Sequence, residues 1–303
     1  MADSKALTKR KIHLRCGEKN NMARRLLSEV HPIFYFLSVW FWRLITYLKW
    51  SFEGKTFSSL KSTEKLPYRV KKHQSVLIRK LGDTDMQLQY NKVKNLSIAI
   101  ERIDGIIIGP GETFSFCKLV GLTTKRKGYL PGILLSCGEA KPGIGGGICQ
   151  IANLIHWLVI HSPLTVTKRY HHSFDPFPDD RRVLPFGSGA TVFYNYIDYQ
   201  FMNCTPYTFQ LRLWLSEKCL EGELRVDQDL DFAYHVFEKN HQFLKLGNKY
   251  FRKNELWRNK IIRRKSGEIL ETELVTKNFA EVKYVPDVYK QTDEIICEEH
   301  NIT

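Results

Sequence analysis

The stretch Gly143-Ile144-Gly145-Gly146-Gly147-Ile148-Cys149-Gln150 has residue types and a spacing suited to covalent chemistry. Three consecutive glycines ahead of an apolar, helix-length run reach backbone angles closed to other residues. They also let backbone N–H groups converge on a ligand, and a helix N-terminus adds unpaired donors and positive potential. A thiol in that first turn is expected to have a lowered pKa and to react as the thiolate. Cys149 is therefore a candidate nucleophile. The backbone of Gly146, Gly147 and Gln150, together with the Gln150 side chain, is the candidate oxyanion hole. The competing reading is a glycine turn enclosing a small buried cysteine.

A cysteine nucleophile needs a base. Downstream runs Lys168-Arg169-Tyr170-His171-His172-Ser173-Phe174-Asp175. If the Cys149 helix returns into a neighbouring strand, the end of that strand comes near the helix start. One histidine of the pair His171 and His172 then faces Cys149, and Asp175 orients the imidazole in a Cys-His-Asp triad. A histidine pair is also a common surface feature. His156, seven residues after Cys149, shares its helix face, so a zinc set of Cys149, His156, His172 and Asp175 is conceivable. No HExxH motif or tight ligand pair occurs, and a histidine in an apolar helix is more often a core residue. The reading therefore assigns no metal and no cofactor. Arg181 and Arg182 precede the glycine-containing loop Pro185–Thr191. Guanidinium groups pair with carboxylate or phosphate in bidentate fashion. Arg181, Arg182 and Ser188 are the substrate-binding candidates, with an ordinary solvated loop as the alternative. There is no P-loop, no GxGxxG after a strand and no nucleic-acid motif, so nucleic acid is not an expected partner.

These residues need elements to position them. Asn91–Arg102 reads as a helix, Gly105–Gly111 as a short buried strand ended by a turn, Ile148–His161 as a helix and Leu164–Arg169 as a strand. Beyond lies a β-rich region: Ala190–Tyr194, Asp198–Asn203, Thr208–Leu215 and Gly222–Val226. In Thr208–Leu215, Phe209, Leu211, Leu213 and Leu215 share one face and Gln210 and Arg212 the other, as in a half-buried strand. Asp231–Tyr284 holds several short alternating stretches. The expected fold class is α+β: a β-rich mixed domain with the Cys-bearing helix packed on an antiparallel sheet, preceded by an N-terminal amphipathic helix. Three regions follow: a basic N-terminal segment over 1–74, a domain over 75–228 and a β-rich extension over 229–303 packed on it.

The basic segment ends in a polar stretch, 51–74, that reads as a linker. Before it, residues 31–50 are strongly aromatic, with Ile33, Leu37, Trp40, Leu44 and Leu48 at helical spacing and Arg43 inside the run. A spanning helix needs about 20 mostly apolar residues. An interfacial amphipathic helix suits this stretch better, with a helix packed on the domain and an uncleaved signal-anchor as alternatives. A cleaved signal peptide is not expected. Lys and Arg number 46 against 32 acids, a net +14 that favours phospholipid headgroups, anionic wall polymers or nucleic acid. The seven cysteines include no CxxC and fit neither a zinc ribbon nor a disulfide scaffold.

Several motifs occur in order: Pro110-Gly111-Glu112-Thr113-Phe114-Ser115-Phe116, Gly128-Tyr129, Gly145–Gln150, His172-Ser173, and Gly187-Ser188-Gly189-Ala190-Thr191-Val192. Together they resemble the VanW family over about 31–284, most closely its short stand-alone members. The family is named for an accessory gene of B-type vancomycin-resistance clusters. Some larger, exported proteins with this domain are L,D-transpeptidases that crosslink peptidoglycan stem peptides through a cysteine. The resemblance places that cysteine at Cys149, the family histidine at His172 and the acid at Asp175. Where the family usually has Glu before Arg169, this chain has Lys168. The resemblance implies an envelope-related accessory protein that acts on a peptidoglycan peptide or precursor as a cysteine acyltransferase. The other expectation is a non-catalytic protein on an anionic membrane surface. The expected location is cytoplasmic or peripheral at the inner membrane face, with export through an uncleaved signal-anchor as a third option.

Overall fold

The computed structural model describes residues 32–79, 85–136, 139–171, 174–175, 183–194, 197–263 and 267–289. The central sheet has the order β1-β10-β9-β2, from Tyr68–Val76 (β1), Ile107–Ile108 (β2), Phe209–Leu215 (β9) and Cys219–Val226 (β10), all antiparallel. The α+β class holds, with few helices set on antiparallel sheets.

Two helices cover this sheet. Helix α2 (Met86–Ile103) begins before the expected Asn91, because the Asp85 carboxylate caps it by accepting from Gln87 N at 2.8 Å. It buries Leu96, Ala99, Ile100 and Ile103 and packs on β9. Helix α4 (Cys149–Ile160) packs on β1 and β10 and buries Ile151, Ala152, Leu154, Ile155 and Leu158. These residues join Phe209, Leu211, Leu213, Leu220 and Leu224 in one core. Burying such side chains stabilises the fold by roughly 2 kcal/mol each.

A three-stranded sheet, β3-β8-β6, forms from Thr113–Ser115 (β3), Thr165–Lys168 (β6) and Gln200–Met202 (β8). Pro131–Ser136 (β4) and Glu139–Ile144 (β5) make a hairpin that delivers the glycine turn to the start of α4. Helix α1 (Pro32–Phe52) and the short α3 (Phe116–Val120) complete the helices used below.

Five expectations change. Gly105–Gly111 contributes only the two residues of β2, and Ala190–Tyr194 only a single bridge, Phe193 to Ile197. Gln210 is buried rather than solvated. Its Nε2 donates to Ser62 O at 3.1 Å and Glu64 O at 2.8 Å, and its Oε1 accepts from Leu66 N at 3.0 Å. The stretch 51–74 is thus drawn onto the sheet instead of crossing as a free linker, and β1 starts within it. Finally, the tail forms three long strands rather than several short ones: Phe232–Leu246 (β11), Lys249–Ile262 (β12) and Ile269–Val282 (β13). Phe174–Asp175 (β7) adds to β13 in parallel. Trp157, Ile160 and Val236 form a small second core where this sheet meets the C-terminal end of α4.

Candidate functional site

The glycine turn is built by close backbone approach. A Cβ on Gly146 would lie 2.2 Å from the Gly132 carbonyl carbon, and one on Gly147 would lie 2.2 Å from Lys92 Cγ. Gly145 and Gly147 have φ of +77° and +92°, where glycine is favoured. The buried Asn95 of α2 stitches the turn down. Its Nδ2 donates to Gly146 O at 2.9 Å and Leu130 O at 3.0 Å, and its Oδ1 accepts from Leu130 N at 2.8 Å. The glycines therefore have a full packing role whatever their chemistry.

Cys149 opens α4 and is half-buried. Its thiol lies 3.5 Å from Val192 O. The sequence argument expects a lowered pKa, but burial pushes the thiol up, and its contacts with the Val192 and Cys149 backbone oppose this only partly. Burial thus favours the neutral thiol over the thiolate. Nor does Gln150 offer a free amide. Its Nε2 donates to Ser75 Oγ and to Val76 O, the latter at 2.9 Å, which ties the start of α4 to β1. The Gln150 and Gly146 N–H groups are engaged too, with Gly147 O at 3.1 Å and Gly143 O at 3.0 Å.

The loop over Cys149 is held from two sides. Asn153, one helical turn on, accepts from Ala190 N at 2.8 Å. Arg169 donates to Gly187 O, and to Gly189 O at 2.8 Å. Thr191 N donates to Tyr170 O at 2.7 Å, so the chain two residues before His172 runs beside the loop that touches Cys149. His172, Arg181 and Arg182 lie outside the described residues, as do Cys16, Cys137 and Cys297. Ser188 is buried, and its hydroxyl donates to Pro185 O at 2.7 Å, locking the turn. Asp175 is buried in β7, with Arg252 Nη1 of β12 3.5 Å from its Oδ2.

His156 is a core residue. Its Nδ1 lies 3.1 Å from the Tyr199 hydroxyl, and burial, with Arg169 adding to it, holds its pKa well below the usual histidine range. Among the described residues no three His, Cys, Asp or Glu side chains are grouped to hold a metal. Asn153 could have been found from the sequence, since it is four residues after Cys149 on one helix face. Lys92 carries no such signal, because only the fold brings α2 to the glycine turn.

Residues 91–225 match the family model described as VanW like protein. The "Vancomycin B-type resistance protein VanW" of Enterococcus faecalis is 28% identical over 242 residues, 80% of this chain and 88% of that one. Residues 91–225 carry a VanW domain. The uncharacterized protein YoaR of Bacillus subtilis is 36% identical over 110 residues, which cover 36% of this chain and 34% of YoaR. No solved structure matches. The matched residues take in the glycine turn, α4 and the loop over Cys149.

Proposed function

We propose that this VanW-family protein is linked to vancomycin resistance and the cell envelope as a cysteine acyltransferase on peptidoglycan peptides. The observation that carries the reading is the placement of Cys149 between a glycine turn and a loop anchored by Asn153 and Arg169. The Cys149 sulfur attacks a donor amide carbonyl, forming a thioester. The leaving amine departs with the proton the thiol gave up, carried by His172, which the family motif supplies for that role. An acceptor amine then attacks the thioester and frees the thiol. Because burial favours the protonated thiol, a substrate and its base must arrive together to ionise it. The test is incubation of the purified protein with muropeptides beside Cys149→Ala. Crosslinked product from the parent alone is expected. Equal product from both proteins, or none from either, sinks the reading.

A specific observation favours a second reading, a membrane-surface accessory protein. Helix α1 leaves Ile33, Leu37, Trp40, Phe41 and Leu44 exposed. Arg43, inside the apolar run, stacks on Trp40 and Tyr194, with its Cζ 5.5 and 5.7 Å from the ring centroids. Among the described residues no helix is long and apolar enough to cross a membrane. An aromatic face on a chain of net +14 suits an anionic lipid surface. Co-sedimentation with phosphatidylglycerol vesicles should fall at least about tenfold in Leu37→Glu/Phe41→Glu, as expected if that face enters the headgroup boundary. Unchanged sedimentation rules out α1 as the anchor.

A further inference from the structure

Helix α1 and the short α3 bound a cavity of about 250 Å³, lined by Tyr47, Trp50 and Ser51 of α1, Cys117 and Lys118 of α3, and Tyr194. Across it the Tyr47 and Tyr194 hydroxyls are hydrogen-bonded to each other. Beneath it α3 is tied to the core. The buried Asp198 carboxylate accepts from Cys117 N at 2.8 Å and from Ser115 Oγ at 2.6 Å, and Ser115 Oγ accepts from Lys118 N at 3.2 Å. The fold itself therefore presents Lys118 to the cavity.

Two cations border this space without a carboxylate. Lys118 Nζ lies 4.1 Å from the Phe57 ring centroid and 5.8 Å from that of Trp50. The Arg43 guanidinium lies 5.7 Å from the centroid of Tyr194, and its Nε is buried with no hydrogen-bond partner among the described residues. Neither cation is ion-paired among the described residues, and Glu53, just beyond α1, is taken by Lys55 at 2.9 Å. The rings that could stack on a choline already carry these cations, so the cavity selects net negative charge. At about 3.6 residues per turn, the exposed Leu37, Leu44 and Leu48 lie roughly a quarter-turn round α1 from Tyr47. An apolar stripe thus runs beside the cavity.

We propose that this cavity receives the phosphate headgroup of an anionic phospholipid, with Lys118 and Arg43 as its counter-charge and the acyl chains along the Leu37–Leu44–Leu48 stripe. The space is smaller than the roughly 300–1,000 Å³ of sites that enclose a drug-sized ligand, which suits a headgroup whose chains stay outside. The inference deepens the membrane-surface reading and rests on it for delivery of the lipid; headgroup binding itself does not.

Isothermal titration of the full chain with dihexanoyl phosphatidylglycerol below its micelle concentration tests this, beside dihexanoyl phosphatidylcholine and glycerol 3-phosphate. Lys118→Met keeps the stem beside Phe57 and removes the charge; Lys118→Arg restores it. Lys49→Met removes an equal charge from α1 outside the cavity. The Kd for phosphatidylglycerol is expected to rise about five- to tenfold in Lys118→Met, to return in Lys118→Arg and to stay within about twofold in Lys49→Met. Phosphatidylcholine and glycerol 3-phosphate should bind the parent at least about tenfold more weakly than phosphatidylglycerol. No binding of phosphatidylglycerol, equal affinity for phosphatidylcholine, or equal losses in Lys118→Met and Lys49→Met overturns the proposal. Glycerol 3-phosphate bound as tightly as the lipid overturns it too, in favour of a free-phosphate site. A parent that fails to sediment with vesicles yet binds phosphatidylglycerol through Lys118 loses the anchor reading and retains the headgroup site. One that sediments through Leu37 and Phe41 but is indifferent to Lys118 keeps the anchor and loses the site.

Discussion

His161 gives the fold an acid limit whose size follows from its surroundings. The residue closes α4, is 4% exposed, and its Nδ1 lies 2.8 Å from Trp157 O. Burial is the main force on its pKa, and Lys71, His235 and His73 add positive charge around it, lowering it to about 3 from 6.5. The hydrogen bond to Trp157 opposes this only partly. A histidine depressed in the folded state binds its proton more readily in the unfolded chain. Stability is therefore retained above pH 6.5 and lost as pH falls from there towards 3. The linkage gives a loss of about 2 kcal/mol at pH 5 and about 3 kcal/mol at pH 4. His161→Asn keeps an N–H donor near the Nδ1 position and cannot titrate. Urea unfolding of both proteins at pH 7.5 and pH 5 isolates the effect, since His156 pulls in the same direction in each. The parent should lose about 2 kcal/mol more than the variant over that interval. Parallel losses would refute the claim that His161 is held neutral by its burial.

The glycine turn makes a prediction by contrast. Gly146→Ala puts a methyl group onto Gly132 backbone, whereas Gly54→Ala meets nothing within 4 Å. The first should cost about 2 kcal/mol or more and the second about 1, the strain of a positive φ alone; thermal melts with equal shifts would contradict the packing account. Arg252→Met removes the guanidinium beside buried Asp175 and should cost about 3 kcal/mol or more by urea unfolding. A loss under about 1 kcal/mol would mean the pair contributes little.

The sequence makes much of the site's local frame legible because the signals there are local. Glycines before an apolar run mark the start of α4, and Thr165–Lys168 follows as read. What escapes is set by distant partners. Gln150 resembles an oxyanion donor until β1 arrives to take its amide. Gln210 alternates as a solvated residue until residues 62–66 fold over it. The Cys149 thiol is pushed up rather than down because the loop at 187–192, some forty residues away, excludes water from it. The long tail strands read as short pieces because turn-prone residues such as Asn240 interrupt the alternation. The structure absorbs that one at φ 53°, where the register of β11 against β12 shifts between Lys239 and Gln242.

Strand β1 pairs along β10 from Tyr68 opposite Val226 to Val76 opposite Cys219. These partners are roughly 150 residues apart, a long loop to close before any pairing energy returns, so this edge of the sheet should form late. Until it does, β10 presents a row of open backbone groups to any other nascent chain. The matched family segment, 91–225, begins after β1. A fragment cut to those limits would keep the cysteine helix yet carry that open edge permanently, inviting strand exchange between copies.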